Sequence, residues 1–170
     1  PYLSLTYNID VPIQNIEKCV KSCILNIGNS ETNIIDNLKY SNVLSIILGE
    51  KIKYGPLLSG RHRCSFDMKF GDSTLQIRGV QYETDGCFES DNKVLIIECK
   101  GKSYKKSDFN IRQIYNPYRV CYDEVKGKKE IIPIFIKLEK NIIHIWKYMF
   151  NDYTDINSIK LVDYYKYKFI

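Results

Sequence analysis

Glu98 and Lys100 stand two positions apart at the end of the apolar run Val94-Leu95-Ile96-Ile97. A strand points residues i and i+2 to one face, so this acid and base stand side by side. Upstream, Gln81-Tyr82-Glu83-Thr84-Asp85 carries two more carboxylates at the same spacing. The polar stretch Glu89-Ser90-Asp91-Asn92 can fold the two segments into a hairpin and set Asp85 close to Glu98. Two carboxylates and a lysine at the end of a sheet suit Mg²⁺, which takes one or two carboxylates together with phosphate oxygens and water. The chemistry expected of such a group is phosphodiester hydrolysis.

An acid-x-Lys triplet is cheap in a lysine-rich chain, and three others occur. Asp67-Met68-Lys69 falls in an alternating strand whose Phe66, Met68 and Phe70 take the other face, so its charges are expected in solvent. Asp91-Asn92-Lys93 falls in the turn, and Glu124-Val125-Lys126 at a helix end before Gly127. Only Glu98-x-Lys100 has a buried approach strand, a carboxylate in hairpin range and a helix downstream.

That combination resembles the PD-(D/E)xK nuclease superfamily. The wider run, Gln81-x-Glu83-x-Asp85, then Glu98-x-Lys100, then Asp108-Phe109-Asn110-Ile111-Arg112-Gln113, is most similar to type II restriction endonucleases. Thr84 stands where the motif has proline, a residue that is not a ligand. The resemblance implies a site in which Asp85, Glu98 and the Cys99 backbone carbonyl hold Mg²⁺, with Mn²⁺ able to substitute. Lys100 would touch the attacking water or the phosphate, and Glu83 would orient the first metal or hold a second. Gln113 is similar to a glutamine on the corresponding helix of RecB-like nucleases, although Tyr115 and Tyr118 depart from that family's spacing. The partner implied is double-stranded DNA, cut by a homodimer, with a cognate methyltransferase in the same system. Two other readings stand beside it: a RecB-like or repair nuclease without sequence specificity, and a non-catalytic nucleic-acid-binding domain.

Basic residues crowd this stretch. Lys102, Arg112 and Arg119 follow it, and Arg61 and Arg63 flank His62 just before a strand; all five are expected to contact DNA. Lys102, Lys105 and Lys106 each read equally well as part of a solvated loop, and nothing orients His62 as a general base. Glu17 and Glu31 read as surface acids, although the resemblance allows an acid from the first core helix to reach the site.

The elements that must position these groups follow from periodicity. A helix is expected over residues 11–28, with Ile13, Ile16, Val20, Cys23, Ile24 and Ile27 inward, and a second from Ser30 with Ile34, Ile35 and Leu38 inward. Periodicity leaves open whether the run 43–48 continues that helix. Strands are expected over 64–70, 74–82 and 94–100 as an antiparallel series. A helix capped by Ser107 or Asp108 follows, kinked or shortened by Pro117, and then strands near 131–136, 142–150 and 158–165. A strand–helix–strand crossover returns parallel, so 131–136 should pair with 94–100. The fold class expected is α/β (α+β): a mixed central sheet flanked by helices, with the αβββαβ core of restriction endonucleases and extra C-terminal strands.

At 170 residues and a formal net charge of +5, the chain is one domain of ordinary size with a mildly basic balance. No run is long and apolar enough to span a bilayer, and no signal peptide is visible. Starting at Pro1, it is expected to be a nuclease-like domain over 1–170 cut from something longer. Six cysteines lack any C-x-x-C pairing, so a reduced, cytoplasmic protein without disulfides or zinc is expected; Cys87 and Cys99 should pack beneath the site.

Overall fold

The run 93–100 is apolar on both sides because it lies in the middle of the molecule. The computed structural model describes residues 1–18, 22, 24, 25, 27, 28 and 30–170. In it β6 (Lys93–Lys100) is flanked by β5 (Gly86–Glu89), antiparallel, and β8 (Glu130–Glu139), parallel. β9 (Ile142–Phe150), β10 (Ile159–Phe169) and β2 (Ile13–Ile16) extend the sheet to six strands in the order β2-β10-β9-β8-β6-β5. The architecture is α+β: a large mixed sheet with few helices.

Alternate residues of β6 feed two separate cores. Leu95, Ile97 and Cys99 pack with α1 (Glu31–Tyr40) and α2 (Val43–Leu48) on one face. Glu98 and Lys100 share the other face with Val94 and Ile96, beneath α3 (Arg112–Val125). The Ser30 hydroxyl caps α1 by accepting from Asn33 N at 3.2 Å, and Ile34, Ile35 and Leu38 are buried as the stripe requires. The run 43–48 is a separate helix, because Asn42 takes the left-handed conformation at φ 64°.

Three expectations are corrected. The helix over 11–28 is replaced at its start by β2, which pairs with β10 from Lys166↔Ile13 to Phe169↔Ile16. Pro12 suits the first residue of an edge strand as well as a helix start, and Ile24 and Ile27 are exposed. Cys19, Val20 and Cys23 lie outside the described residues. Second, Ser107 and Asp108 do not cap a helix. Asp108–Asn110 forms β7, paired with β1 (Tyr2–Ser4), and Phe109 is buried in a stack on Phe135. The helix starts at Arg112, whose N–H is accepted by the Asn110 side chain at 3.1 Å, and it runs through Pro117. Third, the antiparallel series is divided. β3 (His62–Phe70) and β4 (Ser73–Tyr82) form their own two-stranded ribbon, and residues 83–85 carry the chain from it into the main sheet. A hairpin into β6 forms as expected, but its first strand is β5 over 86–89, which takes Glu89 out of the expected turn; the parallel pairing of β6 with β8 is as expected.

A third core, between sheet, α3 and ribbon, is aromatic, with Trp146, Phe135 and Tyr115 all fully buried. At its margin His144 is buried, with Nδ1 2.6 Å from the Tyr164 hydroxyl, and burial holds its pKa below the ordinary value. Lys137 and Lys166 push the same way and Glu139 opposes them; Tyr7 and Tyr164 are the other titratable groups against the ring. A histidine whose folded pKa is depressed takes up its proton first in the unfolded chain, so stability falls as pH drops below about 6.5. The melting temperature of the parent should therefore fall between pH 7 and 5 more than that of His144→Gln; equal slopes would refute a neutral buried imidazole.

Among the described residues, Cys64, Cys87, Cys99 and Cys121 are free and buried, and no helix is long and apolar enough to cross a membrane.

Candidate active site

β5 and β6 are in register at Gly86↔Ile97, which sets Asp85 opposite Glu98 one step further on. There the chain has left the ladder, and the Asp85 carboxylate takes the place of a backbone acceptor: Oδ2 accepts from Cys99 N at 2.7 Å. Thr84, in the proline position, donates its hydroxyl to the carbonyls of Gly86 at 2.9 Å and Ile97 at 3.3 Å, which fixes the bend. The N–H and C=O of one strand residue point to the same edge. The Cys99 carbonyl is therefore directed to the edge where Asp85 lies.

Glu98 is 4 % exposed. Its Oε1 accepts from Lys100 Nζ and from Gln113 Nε2 in the first turn of α3. Both donors converge on one oxygen, which leaves Oε2 for a ligand. Burial, reinforced by the charge of Asp85, pushes the Glu98 pKa up to about 8 despite Lys100 beside it. Burial also works against the Lys100 charge, but Glu98, Asp85 and Glu31 together hold its pKa above the usual value. These two directions are compatible: several acids share one lysine, and the group is short of positive charge. Burial drives the Cys99 thiol well above its usual range, so it is no nucleophile.

These groups face an open cleft of about 560 Å³ at the carboxyl end of β6, whose lining includes Asp85, Glu98, Lys100, Gln113, Glu31 and Asn116. Two of these were not assigned to the site from sequence. Glu31, read as a surface acid, is half-buried and accepts from Gly101 N at 3.2 Å, reaching across from the first turn of α1. Asn116 lies three residues after Gln113, on the same helical face, and that spacing was its signal. Glu17 is exposed and away from the cleft.

The remaining expected residues divide. Arg112 is exposed and lines the cleft. Glu83 is also there, but as an exposed group ion-paired with Arg61 at 2.7 Å, at the rim and not beside the buried acid. Arg63 lies on the outer side of the ribbon and donates to Gly79 O at 2.8 Å. Lys102 is not in the cleft; it borders a different groove with Leu138 and Asn141. Arg119, expected to contact DNA, is not at the surface: it is 5 % exposed, with its guanidinium over Phe66 at 4.6 Å. Asp67 and Lys69 are spent on Arg78 and Asp152 in solvent, as expected.

Among the described residues, no group of three or more His, Cys, Asp or Glu side chains is set to hold a metal ion. The donor set nevertheless fits Mg²⁺, which needs only one or two carboxylates and completes its shell with water and phosphate. Burial first and the neighbouring Asp85 second disfavour the Glu98 carboxylate, a cost that a divalent cation would offset.

A family model, described as a domain of unknown function (DUF6997), matches residues 1–168. The chain belongs to that family. Comparison with curated proteins and with solved structures finds no match. The match spans every residue of the cleft.

Proposed function

We propose that the protein is a Mg²⁺-dependent DNA endonuclease with a restriction-endonuclease-like core, acting on specific sequences. The observation that carries this reading is Glu98: a buried carboxylate at a cleft, opposite Asp85, with Lys100 and Gln113 both donating to one of its oxygens. A structural ion pair would need no open cleft, no second acid across the hairpin and no amide brought from a helix. The order of β5, β6, α3 and β8, with the last strand parallel to β6, is also what that core requires.

Asp85, Glu98 and the Cys99 carbonyl would hold the metal, with Mn²⁺ expected to replace Mg²⁺. The chemistry a bound divalent ion supplies is Lewis-acid stabilisation of the phosphate charge and a lowered water pKa. Lys100, held protonated, stabilises negative charge on the phosphate oxygens as water adds to phosphorus and a P–O bond breaks. Gln113 and Lys100 fix the Glu98 rotamer, so the carboxylate is oriented before substrate arrives. Arg112, at the mouth of the cleft, is placed for a backbone phosphate.

The test is plasmid cleavage with Mg²⁺ or Mn²⁺ and an EDTA control. Discrete fragments that vanish with EDTA are expected. A smear would replace the specific enzyme by a nuclease without sequence preference, and intact DNA from folded protein would leave a binding domain.

A further inference from the structure

The β3–β4 ribbon uses only one of its faces for folding. Cys64, Phe66 and Met68 are buried in the aromatic core against α3. Residues directly opposite in an antiparallel pair share a face. The outward face is therefore built from the pairs Arg63↔Gln81, Asp67↔Gln76 and Lys69↔Thr74, all exposed. It carries no apolar side chain at these positions, and its far end is tied to the loop after β9, where Lys69 pairs with Asp152 at 3.1 Å.

Three features give this face an occupant. It is continuous with the cleft, because Gln81 lines the cleft while standing opposite Arg63. Its open charge at the cleft end suits a polyanion: Arg61, Lys69 and Arg78 are ion-paired with Glu83, Asp152 and Asp67, and Arg63 is the cation left to meet it. Among the described residues Arg63 has no carboxylate partner, and its single tie is to the Gly79 carbonyl. Its shape is also right, since two strands about 4.8 Å apart enter a major groove about 12 Å wide. The register shift at Cys64/Phe66 places a bulge at Arg78 and Gly79, with Gly79 at φ 60°, and a bulge bends and twists a ribbon.

We propose that the outward face of β3–β4 enters the major groove of duplex DNA and reads base edges, with Arg63 and Gln76 as base-contacting residues. Arginine matches the paired acceptors of guanine and glutamine the donor–acceptor pair of adenine. The proposal rests on the nuclease reading and assigns sequence choice to a different element from the chemistry.

The experiment compares the parent with Arg63→Ala/Gln76→Ala on a duplex library randomised over a central window, cleaved with Mg²⁺ and sequenced at the new ends. The readout is the ratio of cleavage at the parent's site to cleavage at singly mismatched sites, whatever the total rate. A fall in that ratio of about 5- to 150-fold at one or more positions is expected. An unchanged ratio, or a parent that cuts without preference, would overturn the ribbon's role and leave the nuclease standing. If the parent cuts nothing with Mg²⁺ or Mn²⁺, the nuclease reading fails and duplex capture from the same library decides the ribbon. Sequence-selective capture lost in the variant supports it; no capture, or capture with the same selectivity, overturns it.

Discussion

Asp85→Asn and Lys100→Ala are each expected to lower Mg²⁺-dependent DNA cleavage by about 10²- to 10³-fold, the usual cost of losing one well-placed electrostatic group. The two substitutions fail for different reasons. Asparagine keeps an oxygen that can accept from Cys99 N, so the bend after β4 should hold while the charge that draws a cation disappears. Alanine at 100 leaves Glu98 tied to Gln113 but removes the cation that offsets its charge. Glu98 is then still harder to ionise, and the site loses both the lysine and part of its carboxylate. Lys100→Arg keeps the charge but spreads it over a planar fork, so it should recover only part of the rate. Thermal melting of each variant separates lost chemistry from lost fold. Folded variants that cut as fast as the parent would move the activity away from this cleft.

Much of this site was legible because its signals are local. The strand 93–100 announces itself by an apolar run, the turn by four polar residues, and the pairing of Asp85 with Glu98 by the count between them. The parallel return of β8 follows from the intervening helix alone. What was not legible depends on partners far along the chain. β2 is four residues with two isoleucines three apart, a spacing that reads as helix, and it becomes a strand only because β10 lies beside it. β7 has three residues and exists because the N-terminal strand pairs with it. Glu31 looks like any first-turn acid until the fold sets α1 beside the end of β6. The separation of ribbon from sheet has no local sign either, since both halves alternate correctly and only the path of residues 83–85 divides them. Arg119 is different. It falls four residues after Tyr115, on the face of α3 that also buries Ile114 and Tyr118, and that helical spacing already argued against a DNA contact.

Arg119→Ala should accordingly destabilise the fold by about 2–4 kcal/mol, the range for deleting a buried charged group with its hydrogen bonds and packing. The guanidinium lies between Phe66 at 4.6 Å and Tyr153 at 5.2 Å. Its Nη1 donates to the Asp67 carbonyl at 2.9 Å and the Tyr115 hydroxyl at 3.2 Å, while Nη2 is 3.7 Å from Asp123. One side chain thus ties α3 to β3 and to the loop that carries Tyr153. Lysine has neither the planar face for both rings nor the fork for both acceptors, so Arg119→Lys should recover only part of the loss. The measurement is the denaturant midpoint at unchanged slope, which isolates stability from changes in compactness. Because the residue reaches no surface of the cleft, DNA cleavage per folded molecule should stay within a few-fold of the parent at low temperature, against the about 10²-fold or greater losses expected at Asp85 and Lys100. A variant as stable as the parent but unable to bind or cut DNA would put this guanidinium on the nucleic acid, and the ribbon would then need another clamp.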